Sequence, residues 1–464
     1  MSSLVDIEDD LTRALARLSG RVRFAEVMAQ RTDGEELRFS RRSKLVQARP
    51  QLTGAVFRAW VGDHWVEAAS SGLDRRTFDS SSAEIASQAA RASTRPSPPG
   101  ESAQGTAERV TESPRPMADL PTEERVALAT QYQEWALSVP GIVDVAVALI
   151  DSRDERLYTS TAGARRYQRI SRVSASVTPI AIENGRIEYD YASIGGIGGQ
   201  EILTPMTEER IITVAREAKA LLSAESPPSG KMAVLLDPQT SGIVAHESFG
   251  HGTEADQFVR DRSYLRPLLG KNLGPPGVTI VDDGSYPGAW GSIYFDDEGH
   301  PGQRTVLVHD GHFVRALQDR TTAAAFQTEA TGNTRRASFL SRPFVRMTNT
   351  FFESGDWSLE ELLEEMGEGI VLEHATSGIE DPLGGNMQCR LKKGHLVKGG
   401  RVGPLVSSMA LSGRVLEFLA AIRGVGKKDY FEMRPGSCGK GFTDVLPAAT
   451  GGTYVLSELV VGRA

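Results

Sequence analysis

The stretch SAESPPSG at residues 223–230 divides the chain into two parts with unlike patterning, and it constrains the fold more than any other feature. Two adjacent prolines closed by a glycine do not fit inside a helix or a central strand. At 464 residues the chain is also too long for one compact core. We therefore expect an N-terminal domain over residues 1–228 and a C-terminal domain over residues 229–464.

Before that boundary, helical and extended patterns are mixed. Leu4, Ile7, Leu11, Leu15 and Leu18 recur at helical spacing, and Gly20 ends the run. RFAEVMAQR, ELRFSRR, GAVFRAW and HWVEAASS follow as short strands, punctuated by Asp33-Gly34, Gly54 and Gly62-Asp63 as in an antiparallel meander. A helix is expected over 81–92. From about 93 to 121 the chain is rich in Pro, Ser, Thr and Glu, which reads as a mobile excursion. PTEERVALATQYQEWAL restarts a helix with Pro121 near its first turn. VDVAVALID, RLYTSTA, RISRVSASVTPIAI and RIEYDYASI are strands, and TEERIITVAREAKALLSA is an amphipathic helix with Ile211, Val214, Ala215, Ala218 and Leu222 on one face. Beyond the boundary KMAVLLD, GVTIVDD, TVLVHDG, HFVRALQD and GGTYVLSELVVG are strand-sized. The fold class is α+β: an N-terminal α+β domain with an antiparallel sheet, then a mainly β C-terminal domain.

A net charge of -8 argues against general affinity for nucleic acid or anionic lipid, both of which select basic surfaces. Nowhere do eighteen apolar residues run together, and the N-terminus lacks a basic, apolar leader, so neither a membrane span nor a secretion signal is expected. With two cysteines, Cys389 and Cys438, a disulfide framework is not the organising device, and a reducing cytoplasm fits best.

HESFGH, residues 246–251, carries the chemistry. In a metal-binding HExxH helix the histidines stand at i and i+4, about 40° apart around the axis. Here the second is at i+5, and on an ideal helix His246 and His251 would point about 140° apart. Two repairs exist: a bulge that absorbs the additional residue, or an end to the helix before the second histidine. Gly250 offers the second, and the pair converges if the helix breaks there. Spacing alone leaves open that both histidines are ordinary surface or core residues and that Glu247 is a helix-surface charge. For a third ligand, Cys438 in RPGSCGKG lies between Gly436 and Gly439 in an expected tight turn, and His/His/Cys is a sound zinc set. A lone cysteine reads equally as a small buried apolar residue, the reading we keep for Cys389.

The chain resembles the TldD/PmbA family of metallopeptidases, in particular its TldD-type members with an HExxxH motif. The resemblance rests on DPQTSGIVAHESFGHGTEAD, VDDG, FDDEGHPGQRTVLVHDG, LQDR, TGNTRR, RMTNTFF, GGNMQ and CGK, in that order, and extends to the first helix, the meander and GGIGGQ at 195–200. It implies Zn2+ held by His246, His251 and Cys438 on a helix of the C-terminal domain, with Glu247 as general base toward the attacking water. It also implies hydrolysis of small or unfolded peptides or maturation of a peptide precursor, and a dimer formed with a PmbA-type paralogue lacking the motif or with itself. After CGK the family commonly continues with glycine and glutamine, whereas this chain reads GFTDVLPAATGG. That departure motivates an alternative, in which the enzyme cleaves or forms an amide bond on a small modified amino acid in specialised metabolism.

Other signals are weaker. GGIGGQ is not a dinucleotide fingerprint, because Glu201 stands where its last glycine belongs; a hinge or backbone-exposing loop is expected. FDDEG lacks the ligand spacing of an EF-hand and reads as a capped turn near the cleft. Arg335, Arg336, Arg342 and Arg346 form a basic cluster that either grips a peptide carboxylate or backbone or makes structural ion pairs.

Overall fold

The computed structural model describes residues 3–49, 51–91, 100, 103–440 and 445–464. It is an α+β structure in which one large sheet is built from residues 25–197 and three further sheets from residues 230–463. The large sheet has nine strands, and its central path runs His64–Ser71, Leu52–Val61, Ala25–Phe39, Ile142–Ser160, Ala164–Glu183, Gly105–Val110. Neighbours along it are antiparallel except the last pair, which is parallel.

Helices cover the two ends of this sheet. Thr122–Leu137 and Glu208–Ala220 bury Tyr132, Ala136, Ile211, Ala215 and Ala218 against Val145, Val147, Val173 and Ala175. Glu8–Ala16 and Arg75–Ala89 bury Leu11, Leu15, Phe78 and Ile85 against Val27, Ala55 and Phe57 at the other end.

Several elements differ from the sequence reading. The strands expected at VDVAVALID and RLYTSTA are one strand of 19 residues, Ile142–Ser160, because the polar residues between them pair across the sheet with Asp33 and Gly34 instead of turning. Asp33-Gly34 likewise does not punctuate: Ala25–Phe39 runs straight through it, and Gly34 is required because a Cβ there would overlap the Asp151 carbonyl of the neighbouring strand. The helix expected over 81–92 starts earlier, at Arg75, where Asp74 and Thr77 form a reciprocal cap. Within the Pro/Ser-rich stretch, Gly105–Val110 is an edge strand and Met117 is buried, so this part is structured; residues 92–99, 101 and 102 lie outside the described residues.

Beyond residue 230, Gly230–Leu236, Glu368–Asp381, Asn386–Lys398, Arg401–Arg414 and Val455–Arg463 close into a ring, since the first strand also pairs with the last. A second six-stranded sheet runs His312–Phe313, Arg304–His309, Ile280–Asp283, Asn349–Phe352, Leu446–Gly452, Glu432–Cys438, which leaves Glu432–Cys438 at its edge. Helix Pro238–Ala245 passes between the ring and this sheet with seven of its eight residues buried, and Gly242 lets it lie directly on the backbone of Gly451. A helix with a charged face could not occupy that position, and PQTSGIVA has no charged residue; its buried Ser241 hydroxyl is satisfied by the Pro238 and Thr453 carbonyls.

Candidate metal centre

The helix that carries the first histidine begins at Asp237, whose carboxylate accepts the Thr240 N–H at 2.7 Å, with Pro238 in the first turn. It does not end at Gly250. Residues His246–Gly250 continue it as a π-turn, closed by the His251 N–H donating to the His246 carbonyl, and Gly250 keeps right-handed helical angles of -55° and -59°. A turn closed from i to i+5 returns the sixth residue to the side of the first, so the wide turn, and not a break, absorbs the extra residue. Gly250 is needed for a different reason than conformational freedom: a Cβ on it would overlap the Met347 sulfur. His246 and His251 end with ring centroids 5.2 Å apart and nearly perpendicular planes.

Cys438 is not in a tight turn. It is the last residue of the edge strand Glu432–Cys438, paired with Leu446, and its side chain points inward with 4% exposure. Its sulfur stands 3.4 Å from His251 Nε2, and one ligand atom from each of His246, His251 and Cys438 falls within 4.8 Å of the others. Burial opposes ionisation of the thiol, but the imidazoles of His246 and His251 outweigh it and hold Cys438 well below its usual range. Burial likewise opposes the charged imidazoles, and the cysteine draws both upward. His246 Nδ1 is buried without a hydrogen-bond partner among the described residues. A buried ring nitrogen left unpaired is costly, and coordination removes that cost. Two nitrogens and one sulfur about 3.5 Å apart are what a tetrahedral zinc ion requires of its donors. The residues fit the ion.

Residues around the triad fix it in place, and of these only Arg346 stood out in the sequence, as part of the basic cluster. Glu254 Oε2 lies 3.6 Å from His251 Nδ1 and 2.8 Å from Lys440 Nζ. Burial opposes its charge, yet Lys440 and His251 hold the Glu254 carboxyl down at about 2. A carboxylate behind a ligating imidazole sets its tautomer and orientation. Lys440 also pairs with Asp256 at 2.7 Å, and Arg346 donates to the Cys438 carbonyl, so the cysteine is gripped from both sides. Glu247 packs against Gly378, where a Cβ would collide with its side chain. Beside it Glu380 has both carboxyl oxygens buried without hydrogen-bond partners among the described residues and is pushed up to about 9 by burial, with His251 partly offsetting this. The spacing of Glu254, three residues after His251, was a visible signal; Glu380 had none.

Elsewhere, Cys389 is a core residue whose thiol burial pushes up to about 12. GGIGGQ is no free loop: Gly195–Ile197 lies in the strand Ala192–Ile197, pressed against Pro435 and Gly288. FDDEG is a capped turn in which Asp296 accepts the Glu298 and His300 N–H groups, both at 2.9 Å. Of the basic cluster, Arg336 pairs with Glu67 and Arg346 lies 3.9 Å from Glu254, which makes both structural; Arg342 is exposed, and among the described residues Arg335 donates only to the Met347 carbonyl.

His246 and His251 on the helical turn and Cys438 at the end of an edge strand, with a glutamate beside the first histidine, form a candidate metal centre, and comparison with known proteins gives its lineage. Residues 229–460 match the PmbA/TldA metallopeptidase C-terminal domain and residues 115–224 the central domain, so the chain belongs to the PmbA/TldD family. It is similar to a metalloprotease of Methanocaldococcus jannaschii, 36% identical over 318 residues covering 68% of each chain, and to a metalloprotease TldD homolog of Haemophilus influenzae, 28% identical over 75% of this chain and 73% of that one. Its fold is shared with a proposed modulator of a DNA gyrase from Thermotoga maritima, at a TM-score of 0.79 and 23% identity over 99% of this chain and all of that one. TldE from Thermococcus kodakarensis shares it at a TM-score of 0.75 and 16% identity over 98% of this chain. Among the described residues no helix is long and apolar enough to cross a membrane.

Proposed function

We propose that the chain is a zinc-dependent peptidase that hydrolyses small or unfolded peptides, including precursors made to be trimmed. The observation that carries this reading is the convergence of His246, His251 and Cys438 donors within 4.8 Å, with Glu247 next in sequence to the first. His246, His251 and Cys438 would hold the ion, which when bound supplies Lewis acidity toward a peptide carbonyl and toward water. Glu247 takes a proton from the attacking water and returns it to the leaving amine. Glu254 keeps the His251 ring oriented, and Arg346 and Lys440 keep the Cys438 backbone at the site. The thiolate among the donors favours zinc over harder divalent ions. The family resemblance supports assembly as a dimer, with a second copy or with a PmbA-type partner.

Glu247→Gln tests the assignment. The variant is expected to retain metal by elemental analysis while turnover of unfolded peptides falls at least about 100-fold. Cys438→Ser should lose the metal. Undiminished turnover in Glu247→Gln would remove the general base, and equal metal content in Cys438→Ser would remove the ligand.

A further inference from the structure

A cavity of about 810 Å³ lies between the large sheet and the loops that lead to the metal centre. Its wall includes Gly436 and Ser437, the residues immediately before Cys438, so whatever fills it sits beside the strand that ends at the metal centre. Ile170, Ile293, Phe295, Leu340 and Leu446 supply an apolar lining, and five arginines and four aspartates supply charge.

The charges do not cancel pairwise. Arg153 pairs with Asp33 at 2.5 Å, and Arg156 pairs with Asp154 at 2.9 Å and also with Asp297. Asp296 is occupied by the N–H groups of Glu298, His300 and Thr334. That consumes every carboxylate of the lining. Arg49 is exposed to water, but Arg172 and Arg335 are 5% and 6% exposed. Arg172 donates to the Trp290 and Ser292 carbonyls, each at 2.8 Å, and Arg335 to the Met347 carbonyl at 2.7 Å. Neither has an ion-pair partner among the described residues. Both line this cavity; burial, then the charge of Arg172, pushes the Arg335 guanidinium down with Asp297 partly offsetting it, and burial pushes Arg172 down with Asp154 partly offsetting it. Two buried guanidiniums lining one cavity, with aspartates nearby but none in ion-pair contact with either, are short of the close counter-charge that burial demands.

We propose that this cavity binds a carboxylate of the peptide substrate between Arg172 and Arg335, either a free C-terminus or an Asp or Glu side chain. The inference rests on the peptidase reading and narrows its substrate class. Planar forks with unused N–H groups suit a carboxylate, and a lining with one arginine more than its aspartates suits a single negative charge. The four aspartates would repel a polyanion such as nucleic acid. The surrounding apolar residues leave room for the neighbouring parts of the peptide.

The test measures binding without turnover, on the full-length Glu247→Gln protein, by fluorescence anisotropy of labelled pentapeptides in two matched pairs. One pair differs only in a free or amidated C-terminus; the other is amidated and differs only in a central Glu or Gln. One of the two acidic members is expected to bind at least about 10-fold tighter than its neutral twin, the return of one charge-assisted pair. Which pair responds identifies the source of the carboxylate. Arg335→Met and, separately, Arg172→Met should bring that ratio close to one. Equal affinity within both pairs, or no binding of any peptide, overturns the proposal, and this comparison needs neither arginine variant to fold. Discrimination in a protein whose wild type never cleaves a peptide would sink the peptidase reading and leave the carboxylate pocket standing. Cleavage without discrimination would do the reverse.

Discussion

Two buried arginine pairs join the large sheet to the rest of the molecule, and they are finished differently. Arg58 Nη1 meets Glu298 at 2.6 Å and Glu26 at 3.1 Å, Arg320 meets Glu26 at 3.1 Å, and Tyr158 donates to Glu26 at 2.8 Å. Trp65 lies 3.8 Å beneath the Arg58 guanidinium. Every charge there has an opposite, and 240 residues or more separate Glu298 from Arg58 and Glu26, so the network fastens distant parts of the chain. Arg172 likewise reaches from the large sheet to the carbonyls of Trp290 and Ser292, but among the described residues it and Arg335 meet only backbone carbonyls. A complete set of partners marks a fastening, whereas a missing anion marks a place for one to arrive.

The contrast can be broken most directly at Glu298. Glu298→Gln takes from Arg58 its shortest partner, leaving Glu26 and Glu67, and is expected to cost about 3 kcal/mol in urea unfolding, the lower end of what removing one member of a buried pair costs. A loss under about 1 kcal/mol would show that the network holds nothing together.

Acid titration sharpens the same point with a smaller effect. Burial opposes the Glu298 charge, but Arg58 and Arg320 hold its carboxyl at about 2, below its ordinary 4.5. A folded-state value below the unfolded one gives stability that is fully present above about pH 4.5 and lost as pH falls toward 2. The loss amounts to about 2 kcal/mol between pH 5 and 3, read from unfolding midpoints. Glu298→Gln should flatten that limb, and an unchanged slope in the variant would assign it to other carboxylates.

The smallest change is expected at the incomplete pair. Arg335→Met removes a buried cation without stranding a carboxylate, and its effect on stability should stay within about 1 kcal/mol in either direction. A cost like that of Glu298→Gln would mean that Arg335 is a fastening too.

How far the sequence could be read follows from the range of the interactions. The amphipathic helices Thr122–Leu137 and Glu208–Ala220 are local patterns and stand close to where their spacing puts them. His246, His251 and Cys438 could be singled out because their residue types are rare in this chain and their surroundings resemble a family; the fold gathers their donor atoms. What closes the gap between the histidines could not be read, because a π-turn and a broken helix satisfy the same six letters. The decision lies in Met347, which fills the space beside Gly250 from a segment about a hundred residues away. Asp33-Gly34 misled for a related reason: a turn-forming dipeptide yields when two long neighbours pair along its whole length. The arginine networks were equally hidden, since Glu26, Arg58 and Glu298 show no pattern until the chain is folded.

The wide turn at His246–Gly250 also decides which genetic changes this centre tolerates. Losing Ser248 would return the imidazoles to the common four-residue spacing, yet it would swing the preceding helix by about 100° relative to all that follows. Phe249, now seated edge-on against Phe313 at 5.1 Å, would then compete with Ala245 and Val244 for the same interior volume. Length, more than letter, is therefore the conserved quantity to expect here: a collection of single-codon deletions screened for soluble protein should be depleted at these five positions more sharply than a collection of conservative replacements.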